Sequence, residues 1–324
     1  MADAVGIVVI GRNEGARLIA CLASLRPLDL PIVYVDSAST DGSRDVAHAN
    51  GAIVVELDLA RPFTAARARN EGVAALVRAH PALDHVQFVD GDCVVAPDWI
   101  DTARAFLMRE PDYAVACGRR RELHPAASFY NRLADHEWDT PVGDAPACGG
   151  DALMRLSAFR AVGGFDDAMI AGEEPELCAR LRAAGWRVRR LDAEMTGHDA
   201  ATYRFGQWWR RAVRSGFGYA QAWRTTRRSG ALYRRELARA LAWTIGPTVL
   251  SLAAGAAHPA GLLLGPAAWG AQIARLAWRD GVGSIDAWRR AALLMVGKAA
   301  ETWGVLKYAG RVLRGSTGGT ILYK

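Results

Sequence analysis

Asp90 and Asp92 stand one residue apart at the end of the apolar run Val86-Gln87-Phe88-Val89. Side chains of an extended backbone alternate with period two, so both carboxylates project the same way. Gly91 between them lets a ligand approach the backbone closely. Two hard oxygen ligands at a strand terminus suit Mg2+ or Mn2+ carried by a diphosphate. A plain turn is the competing reading, because Asp and Gly also favour turns.

Such a pair needs a scaffold. Val5 to Ile10 reads as a buried strand, continuously apolar as in a parallel sheet covered on both faces. Gly11-Arg12-Asn13-Glu14-Gly15 is a loop, and Ala16 to Leu25 has helical spacing. Pro31 to Val35 is a second strand, ended by Asp36-Ser37-Ala38-Ser39-Thr40-Asp41-Gly42-Ser43; a helix follows, then a third strand from Ala52 to Leu57. Ala65 to Arg78 reads as a helix and Val86 to Val89 as the fourth strand. Strands alternating with helices predict a doubly wound α/β domain, Rossmann-like, with a mostly parallel sheet. Ligands of such sheets sit at the carboxyl ends of the strands, and loops 11–15, 36–43 and 90–92 all fall there.

Beyond Pro97 the pattern predicts a helix to Met108, a strand from Tyr113 to Gly118 and a less regular stretch to Ala147. After Cys148-Gly149-Gly150-Asp151 come a short strand, Ala152 to Met154, and a helix from Ser157 to Val162 that Gly163-Gly164-Phe165-Asp166 closes. Gly172-Glu173-Glu174-Pro175-Glu176 opens a further helix, with acids in its first turn where the dipole favours them. That helix runs from Leu177 to Ala184 and gives way to a strand, Trp186 to Leu191, with His198 a few residues further on.

The 324 residues suffice for two units, and the net charge of +6 conceals an asymmetry. Residues 1–202 carry 21 basic and 30 acidic side chains, whereas residues 203–324 carry 19 and 4. An acidic part that holds a cation and a basic part that meets an anionic surface are expected. The five cysteines are odd in number and widely spaced, which fits neither a disulfide framework nor a zinc cluster; reduced thiols in a cytosolic compartment are expected. Met1-Ala2-Asp3-Ala4 lacks a basic n-region, so no secretory signal is expected.

From Tyr203 the composition changes. Eight of the eleven tryptophans lie beyond it, and up to Arg239 ten arginines stand against one acid, Glu236. Residues 240–274 then contain no Asp, Glu, Lys or Arg over 35 positions. A spanning helix needs about 20 apolar residues, so this reads as a hairpin that enters a bilayer, broken at His258-Pro259. Basic flanks on both sides, with Trp243 and Trp278 near the edges, place both ends on the cytoplasmic side. A buried hairpin packed on the α/β domain is the alternative. A basic, Trp-rich region also suits nucleic acid, but the adjoining uncharged stretch makes an anionic membrane the expected partner, and no nucleic acid is expected.

Taken in order, the motifs resemble a family. Gly11-Arg12-Asn13-Glu14, Val35 to Ser43, Asp90-Gly91-Asp92, Cys148 to Asp151, Gly163 to Asp166 and Gly172-Glu173-Glu174 resemble the family 2 inverting glycosyltransferases of GT-A fold, over about residues 5–200. The resemblance implies a nucleotide-sugar donor (a UDP- or GDP-sugar), Mg2+ or Mn2+ as cofactor, and direct displacement at the anomeric carbon. It implies Asp90, Asp92 and His198 as metal ligands. It assigns Glu174 as general base, with Glu173 the alternative because the family's Glu-Asp pair is Glu-Glu here. Gly11, Asn13, Glu14, Asp36, Arg69, Asn70 and Asp90 are the implied donor contacts, and Gly149, Gly150 and Asp151 the implied acceptor contacts. Many members have a second acid after strand two; Ser37 stands there, so uridine specificity does not follow.

The C-terminal region is similar to that of members elongating lipid-linked saccharides in bacterial polysaccharide synthesis. That similarity implies a lipid-linked acceptor and a place at the cytoplasmic face of the bacterial inner membrane. The domains expected are therefore a GT-A unit, 1–202, and a basic helical unit, 203–324, with its hydrophobic hairpin at about 240–274. Two other classes remain: a non-catalytic nucleotide-sugar-binding module docked on membrane, and a dinucleotide-dependent oxidoreductase. The second is disfavoured because Gly11 to Gly15 lacks the G-x-G-x-x-G spacing that close pyrophosphate approach needs.

Overall fold

In the computed structural model, which describes residues 4–227 and 230–315, the first apolar run is strand β1, Val5–Gly11. Met1 to Asp3, Arg228 and Lys324, which entered the signal and charge arguments, lie outside the described residues. Helix α1 (Ala16–Leu25) follows, then β2 (Ile32–Asp36), α2 (Ser43–Ala49), β3 (Ile53–Glu56), α3 (Ala65–Ala79) and β4 (His85–Asp90). Leu18, Leu22 and Leu25 form the buried stripe that turns α1 onto the sheet, at the spacing a helix face requires. Ile7, Val8, Val9, Phe88 and Val89 are fully buried, which is why β1 and β4 lack a polar alternation. Phe88 meets Phe159 and Phe165 with ring centroids 5.7 and 5.4 Å apart.

Next come β5 (Cys93–Val95), α4 (Trp99–Arg109), β6 (Tyr113–Glu122), α5 (Phe129–Glu137), β7 (Gly143–Asp144), β8 (Ala152–Arg155), α6 (Leu156–Ala161), α7 (Glu173–Ala183) and β9 (Arg187–His198). One nine-stranded sheet runs β3-β2-β1-β4-β8-β6-β9-β5, with β7 paired to β9. The first four strands are mutually parallel; β8 is antiparallel to both β4 and β6, and β6 is parallel to β9. The doubly wound α/β expectation holds. Gly11 pairs with Asp36, and Ile10 with Asp90, so the loops after β1, β2 and β4 share one edge.

Strand β5 was not foreseen, β6 runs on past Gly118 to Glu122, and two further stretches differ from the sequence reading. The irregular segment before Ala147 contains α5, a nine-residue helix set among polar and turn-forming neighbours; Ser128 caps it by accepting from Asn131 N–H at 2.9 Å. The last strand does not stop at Leu191 but continues to His198. Its second half reads Asp-Ala-Glu-Met-Thr-Gly-His, too polar to signal a strand, and bulges interrupt its register with β6. This extension pairs His198 with Cys93 of β5.

From Phe205 the chain is helical: α8 (Phe205–Thr226), α9 (Arg234–Ala257), α10 (Leu264–Arg279) and α11 (Ile285–Leu313). Gly216 and Gly304 let α8 and α11 cross with backbones touching, since a Cβ on either would strike the other helix's chain. The α9–α10 hairpin turns at His258, at the break the dipeptide indicates, and leans on α11 through Thr302 Oγ1, which donates to the Ala240 carbonyl at 2.9 Å. With 24 residues, α9 is long and apolar enough to cross a membrane, and only 11 % of its apolar window is buried. The hairpin therefore presents its leucines outward instead of packing them on the sheet.

Candidate active site

The first two loops are knitted together. Asn13 adopts φ +53, a left-handed conformation that Asn tolerates, so that its N–H donates to Ser39 Oγ at 2.9 Å while its Oδ1 accepts from Thr40 N–H at 2.7 Å. Glu14 is buried and paired with Arg17 at 2.7 Å. Asp36 is 1 % exposed; its carboxylate accepts from Ser39 N–H at 2.8 Å and from the Tyr34 hydroxyl at 3.2 Å. Gly11 closes the same edge, with the Ser37 N–H donating to its carbonyl at 3.0 Å.

Beside them lies a buried charge cluster. Arg69 of α3, 2 % exposed, reaches Asp90 Oδ1 at 2.8 Å, Glu173 Oε1 at 2.9 Å and Glu174 Oε1 at 3.2 Å. Arg120 of β6 reaches Asp90 Oδ2 at 3.4 Å and Asp151 Oδ2 at 2.6 Å. Burial by itself raises a carboxyl pKa, but the two guanidinium groups outweigh it and hold Asp90 at about 2. Burial disfavours the charged arginines too, and the surrounding carboxylates more than offset it, so both stay protonated. Removing one partner from such a cluster strands a buried charge, which costs about 3–5 kcal/mol.

Asp92 lies two residues beyond Asp90, at the turn into β5. Its Oδ1 is 3.4 Å from His198 Nε2, because β5 pairs with β9 at Cys93 and His198. Burial lowers the His198 pKa against the pull of Asp92, which keeps the imidazole neutral with a lone pair to offer. A carboxylate oxygen and a neutral imidazole at that separation fit Mg2+ or, better, Mn2+. The third expected ligand, Asp90, is placed differently. Its Oδ1 is paired with Arg69 at 2.8 Å and its Oδ2 more loosely with Arg120 at 3.4 Å, so two guanidinium groups share the carboxylate.

Glu173 and Glu174 open α7 after Gly172, whose φ of +80 suits glycine. Glu173 is buried against Arg69, whereas the Glu174 side chain is 14 % exposed. Burial first, and then the charge of Glu173, raise Glu174 to about 7 despite Arg69. Gly150 lies over this group. A Cβ there would fall 2.7 Å from Arg69 Nη2 and from Asp90 Oδ2, so no other residue fits without moving the cluster. Gly149 is exposed next to it, and Cys148 anchors the loop on α7 with its sulfur 3.6 Å from that of Cys178.

Two implied contacts need correction. Asp151 is fully buried, and its oxygens accept from Asp90 N–H (2.9 Å), Thr196 Oγ1 (2.8 Å) and Arg120, so it supports the site from beneath and cannot touch an acceptor. Asn70 uses its amide within the protein, donating to the Phe165 carbonyl at 2.8 Å and to Asp167 Oδ1 at 2.7 Å. Arg120 was missed by the sequence reading. Its one signal is the run Arg119-Arg120-Arg121 on a strand, whose alternation sends the middle residue to the opposite face. Trp138, just past α5, was missed as well; its ring meets that of His198 at 4.8 Å and lies under Arg120 at 5.6 Å.

Comparison with known proteins follows the same lines. The profile of glycosyl transferase family 2 matches residues 6–159, and that of glycosyl transferase family group 2 matches residues 85–271. The chain is 31% identical over 214 residues to a pre-mycofactocin glycosyltransferase of Mycobacterium tuberculosis, covering 61% of this chain and 43% of that one. It is 29% identical over 199 residues to the succinoglycan biosynthesis protein ExoA of Rhizobium meliloti, covering 57% and 60%. The chain spans about half the length of the curated relatives it matches. Its fold is similar to that of a mannosyltransferase from Pyrobaculum calidifontis solved with GDP-Man and Mn2+, with a TM-score of 0.65 and 21% identity over 93% of this chain and 86% of that one. The ordered motifs, the GT-A sheet and a profile match across more than half its length agree: the chain belongs to glycosyltransferase family 2.

Proposed function

We propose that this protein is an inverting glycosyltransferase that moves a sugar from a nucleoside-diphosphate sugar to a hydroxyl of a lipid-linked saccharide. The observation that carries the reading is Glu174, a carboxylate with its pKa raised to about 7, set in one cluster with Asp90. A base poised near neutrality is what abstraction of a hydroxyl proton requires. Glu174 takes that proton at its carboxylate as the acceptor oxygen attacks the anomeric carbon. Loops 11–15 and 36–43 seat the donor at the edge they share with Asp90, and Arg69 holds Glu173 and Glu174 in place. Asp92 and His198 hold a divalent cation, which when bound offsets the charge gathering on the leaving diphosphate.

The GDP-Man and Mn2+ of the Pyrobaculum calidifontis enzyme support the donor and cofactor class. The names of ExoA and of the O-antigen chain rhamnosyltransferase WbaN of Salmonella anatum support a saccharide acceptor. Purified protein offered UDP-, GDP- and dTDP-sugars is expected to hydrolyse one donor class, and only with Mn2+ or Mg2+ present. Donor binding with neither hydrolysis nor transfer would leave a nucleotide-sugar-binding module instead.

In this reading residues 1–202 perform the transfer and residues 203–324 hold the enzyme at the cytoplasmic face of the bacterial membrane. The outward leucines and valines of the hairpin (Val249, Leu250, Leu252, Leu262, Leu263, Leu264) support it, as do the arginines on either side. Each Lys or Arg near an anionic leaflet contributes about 1 kcal/mol. Full-length protein is expected to float with vesicles containing anionic lipid and to float less with zwitterionic ones. Protein that stays monodisperse without detergent and sediments away from both would overturn the membrane assignment.

A further inference from the structure

Gln221 lies on α8, outside every motif of the α/β unit, yet it is 6 % exposed. Its amide makes two hydrogen bonds to the loop that leads into α7. Oε1 accepts from Ile170 N–H at 3.0 Å, and Nε2 donates to the Ala168 carbonyl at 2.9 Å. Alongside, Gly218 packs so closely that a Cβ there would lie 3.0 Å from that of Ala171. The loop's other flank is tied to α3: Asn70 binds Phe165 and Asp167, and Thr64 Oγ1 donates to the Asp167 carbonyl at 3.0 Å. The loop thus has one anchor on the sheet side and one on the helical side. It ends at Gly172, which has no side chain to fix its own backbone, and Glu173 and Glu174 follow at once.

We propose that Gln221 is a positioning residue for Glu174, and that α8 belongs to the catalytic unit as well as to the membrane-facing one. The inference rests on the reading of Glu174 as the base. The amide of Gln221 is bonded to the loop before α7 and not to loops 11–15 or 36–43, so its loss is expected to reach the base more than the donor. A displacement of about 1 Å in a reacting group lowers a rate by about 10²-fold.

Gln221→Met keeps the volume and removes both hydrogen bonds. It is expected to lower kcat by about 10- to 100-fold while donor KM stays within about twofold. Amide exchange at Ile170 is expected to accelerate in the same variant. An unchanged kcat, or kcat and donor KM failing in parallel, would overturn the proposal. Should Gln221→Met not fold, Gln221→Glu is read by the same outcomes, since it keeps the acceptor for Ile170 and loses the donor to Ala168. Glu174→Gln is measured alongside. A crippled Glu174→Gln with a fully active Gln221→Met sinks this inference alone, whereas an active Glu174→Gln removes the reading beneath it.

Discussion

Glu174→Gln is expected to lower kcat by about 10²–10⁴-fold while leaving donor affinity nearly unchanged, because general-base catalysis supplies that much. The amide keeps the shape of the side chain and can still face Arg69, but it cannot accept a proton. The pH profile gives a second readout. Glu174 titrates at about 7, raised by burial and by Glu173. Below that pH the carboxyl is protonated and idle, and above it the base is available, so kcat/KM of the wild type should rise through about 7 and level off. Glu174→Gln should abolish that limb along with the rate. Glu173→Gln should act mainly on stability, because Glu173 is buried against Arg69 at 2.9 Å. Were Glu173→Gln the crippling change and Glu174→Gln mild, the two roles would be exchanged.

Asp92→Asn is expected to cost about 10²–10³-fold in transfer, the scale on which loss of a preformed charge-stabilising element is felt. Asn offers a weaker neutral oxygen beside His198 Nε2, where Asp92 stands at 3.4 Å. Calorimetric Mn2+ binding to the purified protein should weaken in Asp92→Asn and in His198→Ala alike. Chelation with EDTA should silence the wild type, and Mn2+ or Mg2+ should restore it. Asp90→Asn should also be severe, for another reason: it leaves Arg69 and Arg120 buried with one anion fewer. Full activity in EDTA would defeat the assignment of Asp92 and His198.

What could be read from the chain alone was whatever depended on neighbours in sequence. The continuous apolar runs of β1 and β4 reveal a sheet covered on both faces, whereas Asp-Gly-Asp does not run on as one extended strand: β4 ends at Asp90, and Gly91 and Asp92 turn the chain into β5. Helix α1 is found to the residue, since its leucines recur at helical spacing. Arg120 and Trp138 could not be found that way. Their partners, Asp151 just before β8 and His198 at the end of β9, lie far off in the chain, and no local pattern pairs an arginine of β6 with an aspartate preceding β8. The far half of β9 was hidden for a related reason. Its polar residues face the site or solvent, so it lacks the alternation that marks a half-buried strand. Gln221 is the extreme case, a glutamine in an arginine-rich helix whose amide partners come from the loop before α7.

The bond from Arg69 to Glu173 closes a stretch of 104 residues, and Asp92 waits for His198 over a similar span. Contacts so far apart in the chain are entropically expensive to close and form late in folding. During synthesis the loops after β1, β2 and β4 leave the ribosome well before the acids of α7 and the histidine of β9. The charge cluster of Arg69, Asp90, Glu173 and Glu174 can therefore close only after α7 has been made.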